Sequence, residues 1–202
     1  MEIINIIFDF GGVLLTEDDK WVLDAKVKKL TGSNDRELEN AWNHAWPDAE
    51  KGRVDEDGFF INLLDFLKIK PTPEIIHKLK EIYRKRAGHG GAYPLLTKLF
   101  KKYRLFALTN TLSDWQKYKI KKFKLDKYLR LVVSSCDVGI GKPNPKIYRM
   151  LIKEAKIKPR ESVFIDNMGK NLFPAKRLGF NTVLFENYNQ CTEEMRKMGI
   201  DI

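Results

Sequence analysis

Cysteine is scarce, with two in 202 residues. Cys136 and Cys191 fall in neither a metal-ligand spacing nor a disulfide framework. That excludes a cross-linked secreted scaffold and a zinc module, and both read as small buried hydrophobes in a reducing compartment. Nothing approaches the ~20 uninterrupted apolar residues of a membrane span. The one apolar run near the start carries Glu2 and Asp9 and lacks the basic flank and small-residue cleavage site of a signal peptide. A cytoplasmic address with no membrane partner is therefore expected. Internal repeats and low-complexity segments are missing too. The histidines His44, His77 and His89 stand too far apart to point to a metal cluster.

What is present is ample for a packed core: 43% of the residues are apolar and 11% aromatic. Lys and Arg number 37 against 27 Asp and Glu, a formal charge of +10 that favours anionic partners. The densest basic stretch, "KYKIKKFKLDKYLR" from Lys117 to Arg130, keeps Ile120, Phe123 and Leu125 and reads as a solvated helix face running into a loop. Without zinc-finger spacing, a homeodomain pattern or an aromatic RNA-binding signature, nucleic acid is not expected as a partner. No residue pattern specifies an oligomeric state.

Apolar, β-branched runs predict strands at 3–8, 104–110, 129–135, 162–167 and 181–185. Continuous apolar strands are those buried on both faces. Helical patterns alternate with them at 93–103, 113–123, 144–155 and 170–179. The third is well signalled, with Asn144 as N-cap and Pro145 at the first helical position. Alternation predicts an α/β fold, a doubly wound parallel sheet with helices on both faces. Residues 17–89 break the rhythm with four helical patterns and no strand. They read as an inserted helical cap over a core of 1–16 and 90–202, seated at the strand ends where such sheets bind ligands.

Read together, those strand ends carry chemistry. Asp9 ends the first, Thr109 and Asn110 end the second, Lys142 lies in "GIGKPNP" after the third, and Asp166 with Asn167 ends the fourth. A carboxylate nucleophile, a hydroxyl donor, a lysine for phosphoryl oxygens and a second acid to help hold Mg²⁺ make a phosphoryl-transfer set. Gly11 and Gly12 let backbone N–H groups approach a phosphate closely. Each residue also has an ordinary use: Asp before Gly-Gly forms turns, and Asp-Asn after a strand caps a helix. Their order on successive strand ends favours the chemistry.

The segments "FDFGGVL", "ALTN", "GKPNPKIY" and "VFIDNMGKNLFPAKRLGFNTVLF" resemble, in order, the four motifs of the haloacid dehalogenase superfamily. "TNTLSDW" and "SSCDVGIGKPNPKIY" are most similar to the branch holding the amino-terminal phosphatase domains of soluble epoxide hydrolases and the sugar-1-phosphatases. The resemblance implies a Rossmann-like core with a helical cap after the first strand, and a small phosphorylated metabolite as substrate. It implies Asp9 as nucleophile, Thr109 and Lys142 as catalytic phosphate contacts, and Gly12 and Asn110 as substrate-binding groups with Asn171 behind them. Mg²⁺ would be held by Asp9, the Gly11 carbonyl, Asp166 and Asn167.

Two departures stand out. Family phosphatases usually carry Asp two residues after the nucleophile, as acid for the leaving group and then base for water, where this chain has Gly11. Such proton transfer contributes about 10²- to 10⁴-fold. Relatives also commonly carry two adjacent acids where this chain has Asp166 and Asn167, and an amide oxygen brings no charge to Mg²⁺. The leading expectation is a phosphatase whose leaving group needs little protonation, or whose proton comes from a cap residue or water. The alternatives are a catalytically idle binding protein of the same fold and a metal-independent 2-haloacid dehalogenase, which needs no proton donor. Elsewhere, His89 reads as a hinge-loop histidine, Trp42 and Trp46 as one packed helix face, and Asp114 as a helix-cap neighbour rather than a substitute acid.

Overall fold

The first apolar run becomes the middle strand of the sheet. In the computed structural model, which describes residues 2–16 and 19–202, β1 (Asn5–Phe8) is flanked by β2 (Arg104–Thr109) and β4 (Ser162–Asp166). β3 (Leu131–Ser134) pairs beyond β2 and β5 (Asn181–Leu184) beyond β4, giving the order β3-β2-β1-β4-β5 with every pairing parallel. Ile6, Ile7 and Phe8 have no exposed surface, as expected of a central strand covered on both faces. The parallel α/β architecture predicted by the alternation is the one observed.

Strands and helices are shorter than the apolar runs that announced them. The chain leaves β3 at Ser134 because Ser135 Oγ accepts from Thr111 N at 3.0 Å and starts the single turn α7 (Ser135–Val138). Later helices are α5 (Tyr93–Leu99), α6 (Ser113–Lys122), α8 (Pro145–Ala155) and α9 (Gly169–Arg177). α5 stops before Tyr103 because Lys102 N and Tyr103 N both donate to Leu99 O, turning the chain into β2. Asn144 caps α8 as expected, accepting from Lys146 N at 3.0 Å. A helix that the pattern reading did not anticipate, α10 (Tyr188–Lys197), closes the chain; Asn187 accepts from Gln190 N, and Cys191 and Met195 bury one face.

Between β1 and α5 lie α1 (Ala25–Thr31), α2 (Asp35–Ala49), α3 (Glu56–Phe66) and α4 (Pro73–Arg86), preceded by a 3₁₀ turn at Asp19–Leu23. Each has a side-chain cap: Asp24, Asn34 with a reciprocal Glu37, Asp55 and Thr72. These helices bury an aromatic cluster of Trp21, Trp42, Phe59, Phe60 and Tyr83, into which α6 inserts Trp115. Trp42 and Trp46 stack at 4.7 Å between ring centroids, the packed face their spacing predicted. The expected boundary at residue 17 lies outside the described residues. The outgoing and returning chains run side by side: Thr16 N donates to Gly88 O at 3.1 Å, and Arg86 Nη1 to Asp24 Oδ2 at 3.0 Å.

Candidate functional site

Register places the two acids next to each other. Phe8 pairs with Ile165, and Asp9 N continues the ladder to Ile165 O at 2.9 Å, so Asp9 and Asp166 leave adjacent strands at one level. Lys142 closes the gap. Its Nζ lies 2.8 Å from Asp9 Oδ1 and 2.7 Å from Asp166 Oδ2. All three residues are buried. Asp166 is held further by Met168 N at 2.8 Å and by Asn171 Nδ2, which reaches both carboxylate oxygens at 3.1 and 3.0 Å. Tyr148 OH fixes α9 from behind, donating to Asn171 O at 2.6 Å.

Burial raises the Asp9 carboxyl, Lys142 lowers it and Asp166 raises it again; the net result is a value pushed up to about 6. For Lys142, burial pulls the ammonium down, but Asp9 and Asp166 outweigh it and its pKa rises, so the lysine stays charged. Burial also pushes the Tyr148 phenol far above its ordinary value.

The loop carrying Lys142 is fixed from β2. Asn110 Nδ2 donates to Lys142 O at 2.9 Å while Lys142 N donates to Asn110 Oδ1 at 2.7 Å. Gly141 is required there, since a Cβ would come within 2.8 Å of Asn110 Nδ2. Thus Asp9, Lys142, Asp166 and Asn171 meet directly, with Asn110 clasping the main chain of Lys142. Thr109 is buried at the end of β2, in register with Ser134.

Three expectations need correction. Gly12, with φ +76°, donates its N–H to Leu15 O at 2.8 Å inside a tight loop, so this donor is already engaged rather than presented to a phosphate. Asn171, expected behind the substrate-binding groups, instead grips the acid Asp166 through its amide group. Asp114 caps a different helix from its own: its Oδ2 accepts from Glu56 N at 3.0 Å, tying α6 to the start of α3. His89 stacks on Tyr93 at 3.7 Å between centroids, as a hinge-loop histidine would.

Sequence reading missed Glu50. It follows α2, and its Oε2 accepts from Asn110 Nδ2 at 3.2 Å. A contact spanning sixty positions left no local signal beyond an acid before the Lys-Gly turn.

The donors suit a hard cation. Two buried carboxylates against one ammonium leave one negative charge in excess, and Asn171 Oδ1 is a buried oxygen with no hydrogen-bond partner. Among the described residues no group of three or more His, Cys, Asp or Glu gathers. Main-chain and amide oxygens would have to complete such a set.

Known proteins resemble the chain in sequence and in fold. The chain is 26% identical to D-ribitol-5-phosphate phosphatase of Bacteroides thetaiotaomicron, over 95% of this chain and 96% of that one. It is 39% identical to mouse bifunctional epoxide hydrolase 2, but over 37% of this chain and only 14% of that much longer protein. Its fold matches a haloacid dehalogenase family enzyme of Bacteroides thetaiotaomicron, solved as a magnesium complex, with a TM-score of 0.81 at 24% identity over 97% and 100% of the two chains. That enzyme has also been solved with magnesium and inorganic phosphate. The model of the haloacid dehalogenase-like hydrolases matches residues 5–179, and the chain belongs to that family.

Proposed function

We propose that this chain is a Mg²⁺-dependent phosphatase of small phosphorylated metabolites, with sugar and polyol phosphates as the first class to try, working through a phosphoaspartyl intermediate on Asp9. The observation that carries it is the buried Asp9, Lys142 and Asp166 arrangement at the ends of β1 and β4. The substrate class draws support from relatives named as phosphatases of ribitol 5-phosphate and glyceraldehyde 3-phosphate. The dehalogenase alternative draws less support, because without a cation only Lys142 offsets Asp166, whose charge opposes ionisation of Asp9. Residues 17–89 are assigned as the cap over the strand ends, and a cytoplasmic setting suits two free cysteines.

Asp9 Oδ1 is engaged by Phe10 N at 2.6 Å and by Lys142, which assigns Oδ2 to the attack on phosphorus. Lys142 offsets the negative charge gathered when phosphate meets two carboxylates, and Asn110 keeps its loop in place. Thr109 supplies a hydroxyl for a phosphoryl oxygen. The P–O bond to the leaving group breaks as the Asp9–phosphorus bond forms; water then attacks phosphorus, releasing phosphate and restoring Asp9. When bound by Asp9, the Gly11 carbonyl, Asp166 and Asn167, Mg²⁺ supplies charge neutralisation for the phosphoryl group.

The test is phosphate release from a panel of metabolite esters, with and without Mg²⁺, by the wild type and Asp9→Asn. Mg²⁺-dependent turnover lost in the variant supports the reading. Turnover that survives the substitution removes the covalent route, and a panel with no turnover leaves the idle binding protein.

A further inference from the structure

The turn between α2 and α3 is pinned to the carboxyl edge of the sheet at two points. Glu50 meets Asn110 at 3.2 Å, and that same amide nitrogen donates to Lys142 O. Two residues on, Gly52 has φ +68°, and a Cβ there would stand 2.4 Å from Cys136 O. The backbone of the turn therefore rests directly on the main chain of α7. Glu50 is also anchored at its own end, its N–H donating to Trp46 O at 2.8 Å.

This pinning puts a half-buried carboxyl against Asn110, the residue that follows the carboxyl end of β2. An in-line displacement by Asp9 sends the leaving oxygen away from the strand ends, toward the elements that face them. Gly11, two residues after Asp9, has no side chain that could protonate that oxygen. We propose that Glu50 donates the proton to the leaving oxygen, an assignment that rests on the phosphatase reading above.

The step balances. Asp9 Oδ2 bonds to phosphorus, the ester P–O bond breaks, and the Glu50 proton goes to the departing oxygen, giving an alcohol. The Glu50 carboxylate then takes a proton from the water that attacks the phosphoaspartate, so phosphate leaves and both acids return to their starting states. Groups facing Glu50 are Trp46 and Lys51 from its own segment, Asn110 from the end of β2 and Lys170 from α9. Burial raises its pKa above the ordinary carboxylate value against all four, which favours a protonated acid nearer neutrality.

The experiment measures kcat/KM with Mg²⁺ for p-nitrophenyl phosphate, whose leaving group needs no proton, and for glycerol phosphate, whose leaving group does. Glu50→Gln should cost about 100-fold on glycerol phosphate and about threefold or less on p-nitrophenyl phosphate. The decline of glycerol phosphate turnover at rising pH should vanish with it. Glu50→Asp, which keeps an acid, should recover part of the loss and covers the case of a Gln variant that folds poorly. Equal losses on both esters, or no loss on either, overturn the proton-donor role while wild-type turnover and its loss in Asp9→Asn leave the phosphatase reading standing. A wild type with no Mg²⁺-dependent turnover of p-nitrophenyl phosphate overturns both.

Discussion

Lys142 Nζ lies 2.7 Å from Asp166 Oδ2, with 1% and 0% of the two side chains exposed. Two buried carboxylates share this one ammonium, so its loss leaves unpaired charge where water cannot compensate. Lys142→Met should lower the unfolding free energy by about 3–5 kcal/mol, measured by urea titration. Adding Asp166→Asn to it removes one of the stranded charges and should restore part of the loss. Additive losses in the double variant would mean that the two groups are not energetically coupled.

Glu56 joins the helical segment to α6. One carboxylate oxygen accepts from Trp115 Nε1 at 2.9 Å, the other from Arg84 Nη2 at 2.7 Å, and Lys80 Nζ stands 3.4 Å away. Trp115→Phe keeps most of the ring packing but strands a buried acceptor, which should cost about 1–3 kcal/mol. Glu56→Gln keeps an oxygen for the indole but turns an NH2 group onto the Arg84 and Lys80 donors, and should cost more. Thermal unfolding of both variants checks the order.

How much of this could be read from the chain depends on the range of each contact. Asp9 and Asp166 were legible because each closes a continuous apolar run, and runs alternating with helices force a parallel sheet whose carboxyl ends converge. Lys142 followed from its place after the third strand. The register that sets Asp9 beside Asp166 was not legible, because it comes from pairing across 157 positions of sequence. Asn110 looked like a substrate contact, yet its amide clasps the main chain of Lys142, and no side-chain pattern announces a main-chain partner. Gly12 was read for its freedom to expose an N–H, but the tight loop from Phe10 to Leu15 uses that donor itself. Asp114 sat where a helix cap belongs and instead serves the helix opposite.

Asp24 gives the fold an acid limb. Its carboxyl accepts from Lys26 N at 2.8 Å, capping α1, and from Arg86 at the end of α4. The Lys26 N–H first, then the Arg86 hydrogen bond, hold its pKa below the ordinary value. A depressed carboxylate contributes stability that is present above its unfolded-state pKa of about 3.9 and lost as pH falls through the folded value. Asp24→Ala should therefore cost about 1 kcal/mol at pH near 7. The gap from wild type should narrow below about pH 4 in urea titrations across that range.

Gly141 and Gly139 separate strain from loss of function. At Gly139 the backbone has φ +71° with open space around a new Cβ, so Gly139→Ala meets only the left-handed penalty of about 1–2 kcal/mol. At Gly141 the Cβ would press on the Asn110 amide, 2.8 Å from its nitrogen and 3.1 Å from its oxygen. That amide cannot swing aside cheaply, because both atoms hold the Lys142 main chain and the nitrogen also reaches Glu50. Gly141→Ala should cost about 1–3 kcal/mol by overpacking, close to its neighbour's loss. Turnover should part the two: with Asn110 displaced, Lys142 and Glu50 lose their common support. Phosphate ester hydrolysis should then fall at least tenfold in Gly141→Ala, about 1.4 kcal/mol in the barrier, while Gly139→Ala stays near wild type. Equal activity in the two variants would show that Asn110 does not hold the site in its working arrangement.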